Sequence, residues 1–424
     1  MPIQKLVRVR QNFPERKLAD VAEGVRKTLE AAEWTQAVKP GARIAVGAGS
    51  RGIANIDVIV KAVCDFWKSR GVKPFIIPVM GSHGAATAAG QAEVLHHYGI
   101  TEEKMGAPIV SSLEVVSLGQ TPEGIEVAMD RNAFEADGVM LCSRVKWHTD
   151  FEGALESGVH KMMAIGLGKW EGAKRYHTWA LRLGMEQVIR SVGAKVLSTG
   201  KMLGGLAILE DAWHNTAEVH ALGVEGMVAR EEELLAKTKS WKANIPVKEV
   251  DLLVVDEMGK NYSGAGMDTK VVNRGVDGPN RWEGVPFIRR IFVRDLSSMS
   301  YGNAIGIGFA DIVADRLVDK IDLNATWING LTSSTTQPGA IPMHFSSDRE
   351  CVDKILPTCA RLDVSDCTIC WIANSMDLSD ALVSANLLDE LRANPEIEIV
   401  GEPIELPFDE AGNLVSPFEP QASH

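Results

Sequence analysis

The chain has too few cysteines to be held together by disulfides: Cys64, Cys142, Cys351, Cys359, Cys367 and Cys370 are spread over 424 residues. That sparseness fits a reducing compartment rather than a secreted, cross-linked scaffold. Nor does any apolar run approach the ~18 residues that a bilayer span requires, so no membrane insertion is expected. The opening MPIQKLVRVRQNF lacks the apolar stretch and small-residue cleavage site of a secretory signal, and a cytoplasmic location is expected. Basic charge is in deficit: 44 Lys and Arg stand against 56 Asp and Glu, for a net charge of −12. This argues against a general nucleic-acid surface, which needs a basic face. It leaves room for a local basic cleft that takes a small anion. There is no internal repeat, no low-complexity tract, no GxSxG elbow and no His/Cys cluster at zinc spacing. Cys367 and Cys370 form a CxxC, but inside the apolar run DCTICWIA, where a strand would point them to opposite faces.

What is present is an ordinary globular composition, 45% hydrophobic and 24% charged. The length suits two or three domains of ~100–200 residues each, with a cleft between them. Short β-rich runs at 42–48, 73–80, 138–145 and 203–209 alternate with helical spacing at 20–34, 56–69, 85–97, 179–192 and 225–239. Such alternation predicts an α/β fold with mostly parallel sheets. The polar, proline-containing stretch 237–248 marks the boundary between an N-terminal α/β domain, 1–245, and a C-terminal α/β domain, 246–424. In the second domain strands are expected at 250–255, 287–296, 367–374 and 396–400, and helices at 311–322 and 377–392. This domain is expected to close over the substrate, with the active site in the interdomain crevice. A return of its tail to the first domain is left open.

Three of the expected strands end at Ser50/Arg51, at His83 and at His148. Ligands of open α/β sheets sit at the carboxyl ends of the strands, so these polar residues are better candidates than histidines elsewhere. Gly47-Ala48-Gly49-Ser50-Arg51-Gly52 is a literal GxGxxG between strand and helix. A dinucleotide site would also need an acid at the end of the second strand, and Pro78-Val79-Met80-Gly81-Ser82-His83 has none. An NAD-type dehydrogenase using Gly47–Gly52 therefore stands as an alternative, as does a phosphate or carboxylate held by this loop and Arg51. The densest stretch is 144–177, RVKWHTDFEGALESGVHKMMAIGLGKWEGAKRYH, with His148, His160 and His177 beside Lys146, Lys161, Lys169 and Lys174. Histidine titrates near neutrality and binds metals, and lysine forms covalent links with carbonyl-type partners.

Four segments together resemble the nickel-pincer lactate racemase family of hydroxyacid racemases and epimerases. They are Gly81-Ser82-His83-Gly84 with the helix after it, Lys146-Trp147-His148, Ser157-Gly158-Val159-His160-Lys161, and His177 sixteen residues beyond Lys161. The resemblance implies a pyridinium-3,5-bisthiocarboxylic acid mononucleotide carrying nickel, joined covalently to Lys161, with His177 completing the metal's ligands. It implies His83 and His148 as the acid/base pair on opposite faces of a 2-hydroxy acid, and partner proteins that make the cofactor. Where the family carries acidic residues before Thr-Arg-Pro, this chain keeps only Arg51 and the Ser50 hydroxyl, candidates for the cofactor and, for Arg51, the substrate as well. Lys260 and Arg274 are further candidates for the substrate carboxylate, because cationic donors make charge-assisted contacts to anions. His160 is expected to be a bystander, as are Lys169 and Lys174 unless the cofactor phosphate lies near them. A non-catalytic nucleotide- or anion-binding relative of the same fold is the remaining alternative.

Overall fold

The computed structural model describes residues 3–49, 52–81 and 83–418. They form two compact units, one of Pro14–Lys242 and the other of residues up to Phe13 together with those from Ala243 on. The first strand, β1 (Leu6–Gln11), pairs antiparallel with strands near the far end of the chain and belongs to the second unit. This differs from the contiguous 1–245 span expected from the sequence. A linker can be seen in composition, but a strand's distant partner cannot.

The first unit contains α1 (Val21–Ala31), β2 (Arg43–Ala48), α2 (Ile56–Ser69), β3 (Lys73–Pro78) and α3 (Ala88–His97). A hairpin follows, β4 (Val115–Gln120) with β5 (Glu126–Asp130), and then β6 (Gly138–Arg144). Next come α4 (Lys169–Leu183), α5 (Met185–Leu197), β7 (Met202–Glu210), β8 (Thr216–Gly223) and α6 (Met227–Ser240). Among the described residues the sheet order is β3-β2-β6-β7-β8, with only β8 antiparallel. Successive residues of β2 and β6 enter two different cores. Ala45, Val139 and Leu141 lie on the α5 side with Val192, while Ile44, Val46 and Met140 lie on the α2 side with Val60 and Trp67. A sheet covered on both faces reads as continuous apolar runs, which is why β2, β3 and β6 stand out in the sequence. The chain leaves β2 for β3 on one side and later returns as β6 on the other. This reversal opens a crevice at the carboxyl ends of β2 and β6. The single helix expected at 179–192 is instead α4 and α5, broken at Gly184, whose φ is +80°. The helix expected from 85 starts at Ala88, after a tight turn and a Thr87 cap.

The second unit contains β9 (Glu249–Met258), β10 (Phe287–Leu296), β11 (Ile312–Ala314), α7 (Leu323–Thr332) and β12 (Met343–Phe345). It continues with α8 (Asp348–Ile355), β13 (Ile369–Ile372), β14 (Asp380–Ser384) and β15 (Ile397–Ile404). The order is β12-β11-β10-β9-β13-β14-β1-β15, parallel from β12 to β13 and antiparallel beyond. Two expected helices are in part strands, Ile312–Ala314 and Asp380–Ser384. Both strands are short and almost wholly buried, so they show no polar/apolar alternation, and their apolar residues fit helical spacing equally well. Cys370 lies within β13 and Cys367 just before it, in different cores. Burial pushes the Cys370 thiol up to about 12, which suits a packing role rather than redox or metal chemistry. No helix among the described residues is long and apolar enough to cross a membrane.

Candidate functional site

The segments singled out in the sequence gather at the carboxyl ends of the first unit's parallel strands. After β6 the chain runs Val145-Lys146-Trp147-His148, and Lys146 exchanges two main-chain hydrogen bonds with Ser157, each 3.1 Å. The β6 exit is thereby stitched to the segment that carries Lys161. That segment continues as one helical turn, Val159–Lys161, and then a π-turn, Met162–Gly166, an irregularity common at functional sites.

The β3 exit rests on the same turn. A Cβ at Gly166 would stand 2.9 Å from Val79 Cβ, and one at Gly81 would stand 2.9 Å from Ala173 Cβ and 3.2 Å from Ile165 Cγ2. Only glycine allows backbones to approach so closely. Gly166→Ala is therefore expected to push the turn after Lys161 away from the β3 exit. It should cost about 1–3 kcal/mol of stability, the usual penalty for overpacking, measurable as a lower urea midpoint. A midpoint equal to that of the parent chain would refute the contact.

His148 is 12% exposed. Its Nδ1 accepts the Asp150 amide at 3.1 Å, with the Asp150 carboxylate 3.9 Å away, and its ring lies 4.5 Å from that of Phe151. These contacts turn the Nδ1 edge toward the protein and set the plane of the imidazole. His83 is half-buried and immediately precedes the turn Gly84–Ala86. Lys161 and His177 are half-buried as well. The setting of α4, which carries His177, is fixed by its neighbour Tyr176, whose buried hydroxyl accepts the Ala128 amide at 2.9 Å.

Ser50 and Arg51 lie outside the described residues, but the chain that follows them is tied down. Arg144 pairs with Glu210 at 2.5 Å and donates to the Gly52 carbonyl at 3.3 Å, and Glu210 accepts the Ala54 amide at 2.9 Å. Helix α2 begins only at Ile56, so the glycine run does not itself open a helix as a dinucleotide fingerprint requires.

In the second unit, Lys260 follows β9 and its ammonium donates to the Gly264 carbonyl at 2.7 Å and to Asn329 at 2.8 Å. Arg274 is buried there, donating to the carbonyls of Ile288 (2.9 Å), Asn273 (3.2 Å) and Arg289 (3.3 Å) and pairing with Asp311 at 3.3 Å. Burial lowers its pKa, and Asp311 opposes the shift. These contacts tie the 272–286 loop to β10.

Residues that the sequence did not offer as site candidates hold the site from behind. Glu156 is buried, accepts the amides of His148 and of Gly153 (3.2 Å), and pairs with Lys239 at 2.5 Å. Glu231 accepts the His160 amide at 3.2 Å and meets the ring Nδ1 at 2.9 Å, so buried His160 is a structural support one residue before Lys161. Lys169 is no solvated bystander. It is fully buried, with Nζ 2.6 Å from the Pro78 carbonyl and 3.1 Å from Asp130. Burial lowers its pKa, and Asp130 opposes that. Its φ of +53° costs about 1 kcal/mol for a non-glycine residue, a strain the surrounding contacts sustain. Buried acids facing main-chain amides leave no periodic trace in a sequence, so these supports could not be picked out there.

Among the described residues, no group of three or more His, Cys, Asp or Glu side chains could hold a metal ion. A surface cavity of about 350 Å³ lies beside β8, lined by Thr28, His220, Gly223 and Arg230 among others, and shares no residue with these segments.

No family model matches the chain, and no curated protein matches it. Among solved structures, it is similar to a protein from Thermotoga maritima determined by structural genomics, with a TM-score of 0.51 and 14% identity over 76% of this chain and 83% of that one. That likeness is one of fold. The lactate racemase apoprotein from Thermoanaerobacterium thermosaccharolyticum also matches, with a TM-score of 0.47 and 13% identity over 82% of this chain and 91% of that one.

Proposed function

We propose that the protein is a racemase or epimerase of a 2-hydroxy acid that uses a lysine-tethered nickel-pincer nucleotide. The observation that carries this reading is the convergence on one turn: the β6 exit with His148 is hydrogen-bonded to Ser157, and the β3 exit leading to His83 packs against Gly166. Lys161 lies between those two contact points, and His177 follows on α4, whose Ala173 touches the Gly81 position. The order of motifs that the resemblance rests on is thus matched by contacts within one unit.

In this reading Lys161 would hold the cofactor covalently, His177 would be the protein's ligand to nickel, and Ser50 and Arg51 would be its contacts for the phosphate. When bound, the cofactor supplies a reversible hydride acceptor at the substrate's α-carbon. The chain's own work is proton transfer and placement. His83 and His148 act at the substrate hydroxyl, each taking its proton as base for one enantiomer and returning it as acid for the other. Phe151 and the Asp150 main chain hold the His148 ring to that task. Arg51 and Lys260 are the proposed contacts for the substrate carboxylate. Arg274 stays a weaker candidate, because its donors already serve carbonyls and Asp311. Proteins that build the cofactor are the implied partners.

Intact-mass and metal analysis after co-expression with cofactor-making enzymes tests the proposal. The expected result is a covalent adduct on Lys161 and about one nickel per chain. An unmodified chain, or an adduct that persists in Lys161→Ala, would overturn it.

A further inference from the structure

We infer that Gln91 is a positioning residue for His83, holding the β3 exit in the shape that presents the imidazole. The functional meaning of this inference rests on the acid/base reading above. Where β3 ends, the sheet ladder ends with it, and the carbonyls that follow need other partners because buried main-chain groups must be satisfied. Gln91, on the first turns of α3, is fully buried. Its amide donates to the carbonyls of Met80 at 3.0 Å, Gly81 at 3.2 Å and His83 at 3.5 Å. Its Oε1 lies 3.5 Å from Lys169 Nζ, and that ammonium donates to the Pro78 carbonyl at 2.6 Å. Two buried side chains thus bind four carbonyls between Pro78 and His83.

The same loop is closed from its other end. The Thr87 hydroxyl donates to the Gly84 carbonyl at 3.0 Å, and a Cβ at Gly84 would stand 2.3 Å from the Gly90 carbonyl carbon. His83 therefore sits in a loop pinned before and after it, with Gln91 as the central pin. A fully buried glutamine in a helix is a poor choice for packing alone, since an unpaired amide is costly to bury. Its use here is to bind carbonyls rather than to fill space. Lys169 and Asp130 complete the support by anchoring the start of the loop to β5.

The test uses Gln91→Met, which keeps bulk and removes the donors, and Gln91→Asn, which keeps the donors but withdraws them. In cofactor-free protein, labelling by diethyl pyrocarbonate is followed peptide by peptide, with exposed His97 as the internal standard. Amide exchange of residues 79–85 is measured in parallel. Both variants are expected to alter the His83 labelling rate and to speed that exchange while His148 labelling stays unchanged. In the loaded enzyme, kcat should fall about tenfold to 10²-fold with KM little changed, the scale expected for a displaced reacting group. Unchanged His83 labelling and exchange in a folded variant would overturn the inference. So would wild-type kcat in an enzyme whose His83→Ala form is dead. If the parent protein racemises no hydroxy acid, the functional reading fails, and the labelling result still decides the positioning role.

Discussion

Replacing His83 or His148 by alanine is expected to lower racemisation by about 10²–10⁴-fold, the range that general acid–base catalysis supplies. The Lys161 adduct and its nickel should remain at parent levels in both variants. The two histidines should not be additive, because a proton must leave on one face and return on the other for one turnover. The His83→Ala/His148→Ala double variant is therefore expected to be little slower than either single. With one imidazole required neutral and the other protonated, the parent enzyme should show a bell-shaped dependence of kcat/KM on pH, and each single variant should lose one limb. Measurement is by chiral chromatography of a 2-hydroxy acid incubated with loaded enzyme. Variants retaining more than about a tenth of the parent rate, far above this range, would exclude the pair from proton transfer.

The largest stability effect is expected in the second unit, from Asp348→Ala. Asp348 is fully buried at the start of α8, pairing with Arg294 at 2.8 Å and Arg316 at 2.6 Å and accepting the Leu414 amide at 2.9 Å. Arg294, on β10, also pairs with Asp256 on β9 and donates to the Leu414 carbonyl. Asp256 in turn accepts the Trp371 indole at 2.6 Å and the Ser416 hydroxyl at 2.5 Å. Burial alone would depress the Arg294 pKa, but Asp256 and Asp348 reverse this and raise it. Removing Asp348 leaves a buried guanidinium short of a partner and the 414 amide orphaned. Breaking such a pair costs about 3–5 kcal/mol. The expected readouts are a lower calorimetric transition for this unit and faster amide exchange at 414–418. A shift under about 1 kcal/mol, the level of a surface pair, would show the cluster to be solvated.

How much of this was legible in the sequence depends on the range of the interaction that sets each feature. Helix α2 and strand β10 have the bounds read from their residues, Ile56–Ser69 and Phe287–Leu296, because an amphipathic stripe or a long apolar run is a local pattern. Strands β11 and β14 were read as helix, since three to five buried residues carry no usable period. The parallel α/β class, the strand-end placement of His83 and His148 and the spacing of Lys161 and His177 also follow from local pattern, and the sequence alone determined them.

Only the tertiary structure decided the rest. It joined β1 to β14 and β15, set β2 between β3 and β6, and brought the two strand exits onto the Lys161 turn. It also moved Lys169 and His160 from bystanders to buried supports and revealed Gln91, Glu156, Glu210 and Glu231 beneath the candidate site. The physical reason is the same in each case. A buried polar group is defined by the distant main-chain amide or carbonyl it satisfies, and that partner exists only once the chain has folded.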